Sequence, residues 1–167
     1  MSSVEQNLVE GNEGYAYLFK QGDLALPPSQ KYAVVTCMDA RIDPAAAFHI
    51  PLGAAHVIRN AGGSVRDAFR SLVISQQLLG TTEVLVVKHT GCGMLIFDDA
   101  VAKDLVRKNK GDAAAREVEN LDFLTFPDVE DKVRDDVAWL KGKAVEQGIR
   151  VTGWVYDVKT GRVKKVV

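Results

Sequence analysis

The sequence predicts an α/β domain built on a mostly parallel sheet, and three observations carry that prediction. Short apolar runs recur at Tyr32–Thr36, His56–Arg59, Thr82–Lys88 and Ile149–Tyr156. Segments of helical period separate them, and residues able to do chemistry gather just after the runs. Strands alternating with helices form parallel sheets flanked by helices on both faces, because each crossover needs a helix's length of chain to return to the same edge. The expected strand order is 2-1-3-4, with a fifth strand antiparallel at the edge.

The elements follow in chain order. Val4 to Phe19 is weakly amphipathic and reads as a helix interrupted near Gly11 and Gly14. Leu26-Pro-Pro-Ser-Gln30 is a stop and turn, so residues 1–30 form an N-terminal arm. Tyr32–Thr36 is a continuous apolar strand of the kind buried on both faces. His56–Arg59 is the second strand. Ser64 then stands at an N-cap with Asp67 three residues on, a variant of the capping box. Val65, Phe69, Leu72, Val73, Gln76 and Leu79 follow at roughly helical spacing, and Gly80 is the expected stop. Thr82–Lys88 is the third strand. Phe97–Lys108 reads as a helix with Asp98 and Asp99 at its start and basic residues at its end, matching the macrodipole. A further helix over Asp128–Gln147 carries Val129, Val133, Val137, Leu140 and Ala144 on one face, and Gly148 ends it. Ile149–Tyr156 is the fourth strand. The turn Lys159-Thr-Gly-Arg162 brings back the last one, Val163–Val166, as a hairpin.

Composition narrows the function classes. A chain of 167 residues, 47% apolar and 26% charged, fits one globular domain over 1–167 with a core that needs no disulfide staples. The 21 basic and 22 acidic residues nearly cancel, so no field recruits nucleic acid or a membrane surface. Met1–Gln6 lacks the basic and apolar regions of a secretory signal, and no apolar run reaches membrane-spanning length. A cytoplasmic protein is expected, and there thiols stay reduced.

Both cysteines of the chain follow strands. Cys37-Met-Asp39-Ala-Arg41 closes the first and His89-Thr-Gly-Cys92 the third. In doubly wound sheets, ligands bind beyond the carboxyl ends of strands where the strand order reverses, which here is between strands one and three. Two thiolates and one imidazole suit Zn²⁺, and three protein ligands leave a fourth position free, as catalytic zinc sites do. Gly91 and Gly93 flank Cys92 and let the backbone bend tightly. Taken alone, Cys37 is also what a buried strand end looks like.

Asp39 and Arg41 lie two apart, so in extended backbone they project to the same side. An ion pair there keeps the carboxylate charged. Beside zinc it could accept a hydrogen bond from a metal-activated hydroxide, or occupy the fourth position itself. Arg59-Asn-Ala-Gly-Gly63 reads either as a wall of the crevice or as a strand-to-helix turn using glycine for positive φ. His49 and His56 match no ligand spacing and read as surface or packing residues; Trp139 and Trp154 fit core or interface positions. Competing motifs fail. Three residues separate Cys37 from Arg41 where a cysteine phosphatase loop needs five, Ile96 stands where a dinucleotide fingerprint needs its third glycine, and neither Cys-x-x-Cys nor a Walker loop is present.

Cys-x-Asp-x-Arg at 37–41, Arg-Asn-Ala-Gly at 59–62 and His-x-x-Cys-Gly at 89–93 together resemble the β-class carbonic anhydrases, in particular their short subclass. The resemblance runs from Tyr32 to the Tyr156–Arg162 hairpin and departs at Gly91, where many short members carry an acidic residue. It implies one Zn²⁺ per subunit on Cys37, His89 and Cys92, and a catalytic dyad of Asp39 and Arg41. It implies homodimers or homotetramers in which the N-terminal arm packs on a neighbouring subunit. The implied reaction is attack by a zinc-activated hydroxide on a small linear electrophile held beside Ala61, Gly62 and Gly93. CO₂ hydration to bicarbonate and hydrolysis of carbonyl sulfide are both expected of such a site. The same family includes carbon disulfide hydrolases, and a non-catalytic zinc-binding or regulatory protein on this fold is the alternative of a different class.

Overall fold

In the computed structural model, which describes residues 2–167, the apolar runs are strands. β1 (Tyr32–Cys37), β2 (Ala55–Asn60), β3 (Glu83–His89) and β4 (Arg150–Tyr156) run parallel, and β5 (Val163–Lys165) lies antiparallel on β4. Their order, β2-β1-β3-β4-β5, is the one the sequence predicts. Six α-helices lie among the described residues: α1 (Ser3–Leu18), α2 (Pro44–Ala47), α3 (Val65–Gln77), α4 (Asp99–Lys110), α5 (Asp112–Glu117) and α6 (Val129–Lys141).

β1 is buried from Ala33 to Cys37, because it has a strand on each edge and cover on each face. On one face α3 and α6 bring Val65, Leu72, Val137 and Leu140 over Val35, Val84 and Val86. The approach of α6 to β4 depends on Gly153, where an added Cβ would sit 2.4 Å from a Val133 methyl. The opposite face carries a smaller cluster of Val34, Ile50, Ala54 and Val87 under α2 and the chain that follows it. Beside that cluster an open groove of about 590 Å³ is lined by Tyr32, Val34, Leu85 and Trp154 among others.

N-caps fix three helix starts where the sequence signals them. Ser64, Asp98 and Asp128 each accept a backbone N–H from the first turn of α3, α4 and α6. Three expectations need correction, and two helices are new. α1 runs unbroken through Gly11 and Gly14, started by a capping box of Ser2 and Glu5. The helix expected over 128–147 ends at Lys141: Gly142 caps it, Lys143 is extended, and a 3₁₀ turn over Ala144–Glu146 follows. That break turns Glu146 inward onto Gln76 of α3, whose side-chain amide donates to it at 2.8 Å. α3 caps at Leu78, so Gly80 (φ 72°) lies one residue beyond the position expected for it. Finally, α2 and α5 carry no stripe long enough to be read beforehand, being four and six residues long.

Candidate metal centre and active site

The switch between β1 and β3 does bring the two motifs together. Cys37 ends β1, His89 ends β3, and Cys92 follows in the turn before Gly93–Leu95. Their donor atoms all lie within 4.8 Å of one another, and all three residues are buried. The two sulfurs are 4.0 Å apart, far beyond disulfide length and close to the roughly 3.8 Å between two thiolates on one tetrahedral zinc. His89 Nδ1 lies 3.0 Å from the Thr90 carbonyl, which can only accept, so Nδ1 carries the proton and Nε2 keeps its lone pair. Nε2 is buried without a hydrogen-bond partner, which is what a ligand atom facing a cation requires. These residues fit a metal ion. The contact between the sulfurs eases the first deprotonation of the pair and opposes the second. A bound cation favours the doubly deprotonated form that ligation needs.

Asp39 and Arg41 form a tight unit beside this centre. Arg41 donates to Asp39 Oδ1 through its backbone N–H and Nε, both at 2.9 Å, and to Oδ2 through Nη2 at 2.7 Å. These bonds hold the Asp39 carboxyl well below the usual carboxylate range. Nη2 also donates to the Gly91 carbonyl at 2.9 Å, which ties the dyad to the turn carrying Cys92. Gly91 sits at φ 62° with nothing near a would-be Cβ. Asp39 Oδ2 is 3.8 Å from His89 Nε2, so the paired carboxylate faces the same space as the three donors.

Arg59–Gly63 is both wall and turn. Arg59 donates to the Cys37 carbonyl (3.0 Å) and the Asp39 carbonyl (2.7 Å), bracing the loop that carries the dyad. Gly62 and Gly63 take positive φ, 67° and 60°, within a 3₁₀ turn. A Cβ on Gly63 would stand 3.0 Å from the Thr36 carbonyl carbon, so the turn lies directly on the end of β1. Ala61 packs on the buried cluster of Cys37, Ile42, Cys92, Met94 and Phe126. Gly62 is buried against Met94 and Phe126, whereas Gly93 stands exposed at the rim. His56 is a packing residue, bonded to Ser75 Oγ at 2.7 Å; His49 is exposed and Trp139 and Trp154 are half-buried.

Sequence reasoning missed a buried ion pair beneath the site. Lys88 Nζ lies 2.9 Å from Asp136 Oδ2, with the side chains 1% and 0% exposed. The ammonium also donates to the Gly62 and Gly63 carbonyls at 2.8 and 3.0 Å. Burial pushes Lys88 down, and Asp136 pulls it back up. The signal was legible as a lysine at the end of an apolar run, together with an aspartate inside the Val133–Val137–Leu140 stripe.

The carbonic anhydrase family model matches residues 32–163. Beta-carbonic anhydrase 1 of Mycobacterium bovis is 39% identical over 166 residues, 98% of each chain. A carbon disulfide hydrolase of Acidianus sp. is 35% identical over 162 residues, covering 84% of this chain and 79% of the relative. A solved carbonic anhydrase from Glaciozyma antarctica matches with a TM-score of 0.95 at 45% identity, over 100% of both chains. With the family model spanning β1 to the start of β5, and relatives matching nearly end to end, the chain belongs to the β-carbonic anhydrase family.

Proposed function

We propose that this protein is a zinc enzyme that hydrates CO₂ to bicarbonate, with Cys37, His89 and Cys92 as metal ligands and Asp39 and Arg41 as the catalytic dyad. Zn²⁺ bound there would supply a water acidic enough to act as a nucleophile near neutral pH. One observation carries the reading. Asp39 is committed to Arg41 through three N–H donors, yet Oδ2 still faces the ligand atoms at 3.8 Å. A carboxylate held this way leaves the fourth metal position free. It can accept a hydrogen bond from the attacking water at Oδ2 and so orient it, and Arg41 keeps it ionised. This speaks against a closed, non-catalytic zinc site, in which Asp39 would be the fourth ligand.

Ala61, Gly62, Met94 and Phe126 give an apolar wall suited to a small linear molecule without charge. Hydrolysis of carbonyl sulfide uses the same geometry, and the relative named carbon disulfide hydrolase keeps that chemistry in view. The named carbonic anhydrase at 39% identity favours CO₂. The test assays purified protein side by side for CO₂ hydration and for H₂S release from carbonyl sulfide or carbon disulfide. Faster CO₂ hydration is expected; faster H₂S release would reassign the substrate, and neither activity would overturn the enzyme reading.

The protein works as a homodimer or a homotetramer in this proposal. α1 buries none of its residues within the subunit, and Val4, Leu8, Tyr15 and Leu18 are exposed along it. The apolar groove beside Tyr32, Val34, Leu85 and Trp154 offers such a helix a seat on a neighbouring copy. No helix among the described residues is long and apolar enough to cross a membrane. Free thiols as ligands fit the reducing cytoplasm.

A further inference from the structure

Two consecutive carbonyls of the Gly62–Gly63 turn point into the protein rather than to solvent, and both end on Lys88 Nζ. Both glycines take positive φ, the conformation that aims the two peptides this way. Buried carbonyls need a donor, and an ammonium has three N–H groups. Here two serve the turn and the third faces Asp136. Asp136 is in turn held by Lys132 at 3.1 Å, so the cluster is anchored on α6. Lys88 Nζ also lies 5.3 Å from the centre of the Phe126 ring, which packs on Gly62.

A salt bridge serving stability alone would have no need of this turn. Buried ion pairs are often no more stable than apolar residues of the same size. What Lys88 adds is a fixed orientation for two peptides. Those peptides join Gly62 to Gly63 and Gly63 to Ser64 directly after Ala61; Gly62 meets Met94 and Phe126, and Gly63 rests on the Thr36–Cys37 backbone. Without the ammonium, the turn would have to rotate its carbonyls toward other donors, and the apolar wall would move with it. We propose that Lys88, braced by Asp136, is a positioning residue that holds the Ala61–Gly63 turn and thereby shapes the wall against which the substrate sits.

The inference rests on the reading of the site as one for a small linear substrate. The variant Lys88→Met/Asp136→Leu removes both charges at similar volume, and Lys132 keeps Asp135 as a partner at 3.0 Å. Zinc content, melting temperature, kcat, KM and amide hydrogen exchange over residues 60–64 are measured beside wild type, on whichever of CO₂ and carbonyl sulfide wild type turns over. The expected result is full zinc and faster exchange at 60–64, with KM raised about tenfold and kcat within about twofold. Lys88→Arg, which keeps charge and donors, should hold KM within about threefold of wild type. Should the double change not fold, Lys88→Met alone carries the same test, because Lys132 remains beside Asp136. An unchanged KM in a folded, zinc-loaded variant overturns the inference, as does loss of zinc in step with activity. An equal KM rise in Lys88→Arg overturns it too. Wild-type protein inactive on both substrates would instead overturn the functional reading.

Discussion

The carboxyl end of β1 and β3 and the N-terminal arm obtain their order in opposite ways. Around Cys37, Asp39 and Cys92 the chain is held by its own subunit: Arg41 binds Asp39 and Gly91, Arg59 binds two carbonyls, and Lys88 binds two more. α1 is 16 residues long with no buried residue, and two glycines stand in its interior. An isolated helix of that length is marginal in water even with better helix formers. The contrast teaches that one part of the molecule is ordered by contacts within the subunit, while the other finds no such contacts there, as the proposed assembly through the arm requires.

The largest expected effect lies at the metal. Cys92→Ser exchanges a thiolate for a hydroxyl that stays protonated, so most bound zinc and nearly all turnover should be lost. The arm is untouched, and the oligomeric state should be retained if assembly rests on residues 1–20. Metal analysis per subunit checks this, and full zinc occupancy in the variant would remove Cys92 from the ligand set. Because thiolates and a neutral imidazole are needed, metal affinity should also fall on acidification.

Next in size is the dyad. Asp39→Asn keeps the size and a hydrogen-bonding group but removes the charge, so kcat should fall by about 10²-fold with zinc retained. Near-wild-type turnover would reduce the pair to a solvated ion pair of under about 1 kcal/mol. Arg41→Ala frees Asp39 to take the fourth metal position, so activity should fall most at low pH. A stability profile provides a second readout. The folded carboxyl lies below its unfolded value, so the pair stabilises above the ordinary carboxylate range and the gain is lost as pH falls through the folded pKa. That acid-side loss should shrink in Arg41→Ala.

The two regions also differ in how legible they were. The strands and the placing of Cys37, His89 and Cys92 at or just beyond strand ends were readable from local signals: valine-rich runs, and caps at Ser64, Asp98 and Asp128 that mark the helices between them. The break in the last long helix was not readable, since Val129–Lys141 stops where Glu146 must turn toward Gln76, a contact 70 residues away in sequence. Lys88 and Asp136 each left a local signal, but their pairing depends on how β3 packs against α6. Gly11 and Gly14 misled for another reason. Their penalty is real but small, about 1 kcal/mol each, and the Ser2–Glu5 capping box offsets part of it.

Deleting residues 1–20 tests the other half of the comparison. If the proposed seat of the arm in the groove beside Trp154 is right, the deletion should cost oligomeric state and stability together. Light scattering and thermal melts read both. A monomeric wild-type protein, or a truncated one with unchanged assembly and melting temperature, would count against an arm completed by a partner.

The smallest effect separates an arm that is helical by itself from one folded by its partner. In the free subunit an added Cβ at Gly11 or Gly14 meets nothing within 4 Å. Replacing both by alanine should therefore favour the helix by about 1–2 kcal/mol in total. If the arm is already a stable helix before assembly, that gain appears equally in monomer and dimer, and dissociation is unchanged. If the arm becomes helical as it docks, part of the ordering cost is removed in advance and the dimer should tighten by up to about tenfold. The measurement is the dissociation constant of Gly11→Ala/Gly14→Ala by sedimentation against wild type. An unchanged constant would make the arm self-sufficient. A weaker dimer would mean that the glycines are points of close approach to the partner rather than weak links in a helix that the partner completes.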